Sequence, residues 1–185
     1  MNFDFIIVGS GLGGLVSGII LAKEGYSVCV LEKNHQAGGN LQTFTREGHT
    51  FSTGLHYIGS MEEGQTLHRF FRYLGITDKL NLKKMDPEGF DRIGFGEEET
   101  GYMLAQGWEN FRESMIRQFP VEKAAITAYV DAVRNTINGI PLYNLESAGS
   151  SKLDVTTLGR CTMHFLSGLT DNKRLQHVLA GANSV

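Results

Sequence analysis

The feature that most constrains this chain is a glycine loop set between an apolar strand and a helix within the first forty residues. Phe3-Asp4-Phe5-Ile6-Ile7-Val8 is short, β-branched and closed by glycine, as a strand buried in a parallel sheet would be. Gly9-Ser10-Gly11-Leu12-Gly13-Gly14 follows. Residues 15–24 then carry helical spacing, with Gly25 as the stop. Tyr26–Glu32 reads as the next strand. Strand, helix and strand in this order make one βαβ unit with a right-handed crossover.

The loop has a specific chemistry. Gly9, Gly11 and Gly14 fill the pattern G-x-G-x-x-G in the strand-to-helix context that gives it meaning. Gly9 allows a tight turn, Gly11 has no Cβ to obstruct a pyrophosphate, and Gly14 lets the helix pack closely on the strands. The helix N-terminus offers unpaired N–H groups and about half a positive charge to phosphates. Ser10, Leu12 and Gly13 lie in the same loop and join the cofactor-binding candidates. Glu32 stands 18 residues beyond Gly14, close to the spacing of about 20 for a ribose acid. Its carboxylate can accept hydrogen bonds from both ribose hydroxyls. The plainer reading of Glu32 is a solvated turn residue, but the order of elements favours a dinucleotide.

A plain NAD domain continues into another helix and parallel strand. This chain does not. Ala37-Gly38-Gly39-Asn40 makes a second glycine turn, followed by alternating segments at 41–45 and 49–53 joined by Arg46-Glu47-Gly48, a hairpin signal. That switch favours FAD over NAD. Farther on, 62–74 reads as an amphipathic helix and 83–86, 90–95 and 102–105 as short antiparallel strands. Helices are expected at 108–119, 121–138, 158–166 and 172–179, with a flexible break at 147–151.

Composition narrows the classes. With 41% hydrophobic and 20% charged residues the chain is ordinary for a globular protein, and a net charge of -3 offers no basic field to nucleic acid. Asp4 stands where a signal peptide would be basic, and no run of about 18 apolar residues suggests a membrane span. Two cysteines make no disulfide framework, which fits a reducing cytoplasm; Cys29 is expected to be buried. The histidines show no metal-ligand spacing.

The run Gly54-Leu55-His56-Tyr57-Ile58-Gly59, with Asp4–Gly14, Glu32-Lys33, Gly38-Gly39 and Phe51–Gly54, resembles the phytoene desaturase and carotenoid isomerase flavoproteins, and within them the retinol saturase branch. The resemblance implies a Rossmann-like FAD-binding domain of the glutathione-reductase type at 1–60, then the start of an α+β substrate or cap region at 61–185. It implies that the second glycine turn, with Lys33 and Asn40 near it, lies against FAD. Gly54, Leu55 and His56 would pass near the isoalloxazine. It further implies an oxidoreductase acting on CH-CH groups of a polyene or isoprenoid lipid, NAD(P)H as a candidate electron donor, and peripheral membrane contact. His56 and Tyr57 are the local candidates for shaping the substrate side, with packing as their plainer role. Two positions depart from the family: Asn40 replaces a frequent basic residue, and Ser52 a frequent Asp. Other readings are an amine-oxidase-like flavoenzyme and a prenyl-binding protein of the GDP dissociation inhibitor type. Because the family's fold returns to the nucleotide domain later in the chain, exposed core surface, self-association and weak FAD binding by these residues alone are also expected. Trp108, Phe111, Met115 and Phe119 read as core ahead of a lipid-pocket lining.

Overall fold

A computed structural model describes residues 2–146 and 159–181. They form two compact units, one ending at Asn81 and the other starting at Leu82. The first unit therefore takes in the helix that follows residue 60.

In the first unit, β1 (Phe5–Val8) and β2 (Val28–Leu31) pair in parallel, Phe5 opposite Val28 and Val8 opposite Leu31. Between them runs α1 (Leu12–Lys23), ended by Gly25 at φ 91. Asp4 fixes the start of the pair: its carboxylate accepts from the Ser27 amide at 2.8 Å and the Ser27 hydroxyl at 2.6 Å. One sheet face packs on α1. A Cβ on Gly18 would lie 3.5–3.8 Å from Ile7, Val30 and Val28, so the missing side chain sets the helix–sheet spacing. The opposite face is uncovered, with Ile6 63%, Val8 85% and Leu31 52% exposed. Exposed core surface was the expectation, and parallel sheets normally have both faces covered. Cys29, expected to be buried, is only half-buried, because its register alternates with that of the α1-facing residues.

The hairpin pairs β3 (Thr43–Arg46) with β4 (His49–Ser52). Glu47 and Gly48 both take positive φ, 51 and 79, giving the two-residue turn whose twist suits a hairpin. Phe44 and Phe51 oppose each other across it, stacked at 5.3 Å. Helix α2 (Thr66–Leu74) starts four residues after the expected position 62, because Gly64 adopts φ 82 and 62–65 close a turn. It ends at Gly75, with Gly75 N–H donating to Arg72 and Ile76 N–H to Phe71, a Schellman stop.

In the second unit, β5 (Asp91–Ile93) and β6 (Tyr102–Leu104) are antiparallel. Among the described residues the expected strand at 83–86 does not form. The Gln118 side chain occupies the β6 edge, accepting from Met103 N–H at 2.9 Å and donating to Met103 C=O at 3.0 Å. Helices α3 (Trp108–Gln118), α4 (Lys123–Asn138), α5 (Pro141–Asn144), α6 (Thr162–Leu169) and α7 (Lys173–Gly181) complete the unit. A turn at Pro120–Glu122 delays α4 by two residues relative to the periodicity, and α6 ends at 169 rather than 166. Residues 147–151 and position 158 lie outside the described residues. Leu104, Met115, Phe119, Ile126, Val130, Leu166, Leu175 and Val178 form the core, with Phe111 partly buried against it. Met115 and Phe119 of the four α3-region candidates are thus core and Phe111 packs against it, whereas Trp108 is 39% exposed. No helix among the described residues is long and apolar enough to cross a membrane.

Candidate functional site

The candidate site lies where β1, α1 and β2 meet the second glycine turn. Gly9 leaves β1 at φ 99 while its N–H still donates to Leu31 C=O at 2.7 Å. That turn directs the chain into α1, whose N-cap is Gly11. A Cβ on Gly14 would sit 2.2 Å from the Gly9 carbonyl oxygen, so only glycine fits without moving backbone. Gly11 and Gly13 have no atom within 4 Å of where a Cβ would stand. Packing explains Gly14, but the space beside Gly11 at the helix N-terminus suits an anion that needs close backbone approach.

Glu32 follows β2 and turns back toward the loop. Its Oε2 accepts from Ser10 N–H at 2.9 Å and Ser10 Oγ at 2.6 Å, and its Oε1 accepts from Asn34 N–H at 2.9 Å. These bonds, the Ser10 hydroxyl foremost, lower its pKa to about 2. A carboxylate offers about four lone-pair positions; Oε2 takes two of these donors and Oε1 one, and the Lys33 N–H also acts on the carboxylate. The expected pair of ribose hydroxyls therefore meets a carboxylate already engaged by three internal donors.

Ser10 is 2% exposed. Its Oγ accepts from Gly38 N–H at 3.2 Å, and its carbonyl accepts from the same N–H at 3.0 Å. The two glycine turns are thereby joined. Gly38 and Gly39 take φ 116 and 57, and a Cβ on Gly39 would stand 3.1 Å from the Gly11 Cα. Asn40 continues the contact chain, since a Cβ on Gly54 would lie 3.0 Å from its carbonyl oxygen. Ser52 caps the next turn by accepting from Leu55 N–H at 3.1 Å, a turn-forming role open to serine.

The structure thus gathers Gly9, Ser10, Gly11, Gly13, Gly14, Glu32, Gly38, Gly39, Asn40 and Gly54. Leu12, Lys33, Leu55, His56 and Tyr57 are solvent-exposed beside these segments in sequence. Ser10 entered the candidate set only as a loop member. Its bridging role and the Asn34 N–H contact were missed; a hydroxyl inside G-x-G with an acid ending the next strand was the available signal.

A family model for an NAD(P)-binding Rossmann-like domain matches residues 7–74, spanning the whole cradle. All-trans-retinol 13,14-reductase of Macaca fascicularis is 37% identical over 147 residues, covering 75% of this chain and 23% of that protein. The protein of the same name from Danio rerio is 30% identical over 200 residues, covering 97% of this chain and 32% of its own length. By these matches the chain belongs to the retinol saturase-like carotenoid desaturase family. A more distant member, 4,4'-diapolycopene oxygenase of Methylomonas sp, is 29% identical over 140 residues, 72% of this chain and 26% of its own. The chain spans between 23% and 32% of these curated relatives. Its first unit is an α/β Rossmann-like fold, with the parallel β1–β2 start of such domains.

Proposed function

We propose that this chain supplies the ADP-binding half of an FAD site in an oxidoreductase acting on carbon–carbon double bonds of a polyene or isoprenoid lipid. The observation that carries the reading is the convergence of two glycine turns and an acid at the N-terminus of α1, with open space beside Gly11. Gly9, Gly11, Gly13 and Gly14, with Ser10 and Leu12, bring backbone to the pyrophosphate, and α1 directs its N–H groups at it. Glu32 accepts from the ribose at Oε1. Gly38 and Gly39 lie along the cofactor, flanked by Lys33 and the neutral Asn40. Gly54, Leu55 and His56 run toward the flavin ring, and His56 and Tyr57 shape the substrate side.

When bound, the flavin supplies the electron exchange with the double bond; the residues above bind and orient it. A retinol reductase and a diapolycopene oxygenase among the relatives support a polyene substrate. NAD(P)H is the proposed electron donor, and a lipid substrate favours peripheral membrane contact. Residues 1–60 carry the nucleotide half, and 61–185 begin the substrate or cap region. The uncovered face at Ile6, Val8 and Leu31 is the surface that further polypeptide of the flavin domain would cover.

The test is the visible spectrum of the protein carrying its entire flavin domain, reconstituted with FAD. Flavin absorption, bleached anaerobically by NADPH and restored by a polyene, is expected. A folded protein of that length that takes up no FAD would sink the reading.

A further inference from the structure

We propose that Ser10 is the positioning residue of the nucleotide cradle: its hydroxyl sets the Glu32 carboxylate for the ribose and holds the second glycine turn against the first. This rests on the nucleotide reading above. Ser10 lies 22 residues before Glu32 and 28 before Gly38, so no local rule of helix or turn dictates its bonds. At 2% exposure its hydroxyl is enclosed, and it acts on a ligand through other groups.

The geometry divides the carboxylate in two. Oε2 is filled by the Ser10 N–H and hydroxyl, while Oε1 takes the Asn34 N–H and is the less occupied oxygen. A ribose thus meets an acid whose rotamer is already fixed, and the ordering cost falls on folding rather than binding. The same Oγ accepts from Gly38 N–H, so the acid and the turn that faces Gly11 move together. Removing the hydroxyl leaves Oε2 with one backbone donor and Gly38 N–H with the Ser10 carbonyl alone. A hydroxyl that merely satisfied buried neighbours would show no link between the state of Glu32 and ligand affinity.

The probe is ADP-ribose, which lacks the flavin and needs only the cradle. Its binding to the 185-residue chain and to Ser10→Ala is followed by NMR from about pH 7 to about pH 3, with the Glu32 carboxyl carbon titrated in the same samples. In the wild type the Glu32 carboxyl, lowered to about 2 by its hydrogen bonds, should show no titration in this range. In Ser10→Ala its titration should move toward the ordinary 4.5, and affinity at neutral pH should fall about tenfold. The variant's binding should weaken further as Glu32 protonates. Unchanged affinity overturns the proposal. So does lower affinity with an unmoved Glu32 titration, which would assign Ser10 to packing alone. A wild-type chain whose cradle amides do not respond to ADP-ribose at all overturns the nucleotide reading, and this inference with it.

Discussion

Replacing Gly14 and Gly11 separately by alanine should split stability from binding within one loop. At Gly14 the new methyl would lie 2.2 Å from the Gly9 carbonyl oxygen and 3.3 Å from both the Gly9 carbonyl carbon and Ile7 Cγ2. Contact without repulsion begins at about 3.5 Å, so α1 must retreat from β1 by about 1 Å. Overpacking costs typically 1–3 kcal/mol, and the upper end applies because the main obstacle is backbone; we expect about 3 kcal/mol. For a domain of this size, that lowers Tm by about 12–24 °C. At Gly11 the methyl meets nothing within 4 Å and φ is an ordinary -66. Only the weaker N-cap remains as a cost, about 0.5–1 kcal/mol. The methyl does, however, occupy the space at the helix N-terminus where a pyrophosphate would lie. Gly11→Ala should therefore melt near the wild type yet bind ADP-ribose at least about tenfold more weakly. Thermal melts resolved on first-unit amide signals, beside ADP-ribose titrations, measure both. The reasoning fails if Gly14→Ala is as stable as the wild type, or if Gly11→Ala binds normally.

Glu32 is held to about 2 in the folded chain, chiefly by Ser10. Its contribution to stability is present above its unfolded value near 4.5 and is lost as pH falls toward 2. The urea midpoint of the first unit should drop across that window, and Glu32→Gln should remove that part of the slope. Asp4 is likewise lowered, by Ser27 first, so Ser27→Ala should reduce the acid sensitivity below its ordinary 3.8. Ile6→Thr and Leu31→Thr fall on the uncovered face; each should change urea stability by within about 0.5 kcal/mol. The pair should also lower binding of a hydrophobic dye, and unchanged dye binding would place the exposed apolar surface elsewhere. Ile126, fully enclosed in the second unit's core, should cost about 2–5 kcal/mol as alanine in urea unfolding.

Features set by neighbours in the chain are legible in the sequence, and features set by distant residues are not. The β1–α1–β2 unit was legible because each part rests on neighbours in the chain: β-branched runs for the strands, and glycines where positive φ or close approach is required. The hairpin was legible for the same reason, since Glu47 and Gly48 supply the backbone its turn needs. The strand expected at 83–86 does not form among the described residues, because alternation marks a surface able to pair and does not by itself make a ladder. Gln118, 15 residues from Met103 in sequence, occupies the β6 edge. Within the candidate site, the sequence by itself determined the glycines and the acid, because their chemistry is carried by residue type and spacing. Only the tertiary structure decided what Ser10 does and which oxygen of Glu32 is the less occupied. Both depend on bringing positions 10, 32 and 38 within hydrogen-bond reach, and a contact between distant residues leaves no periodic trace in the chain.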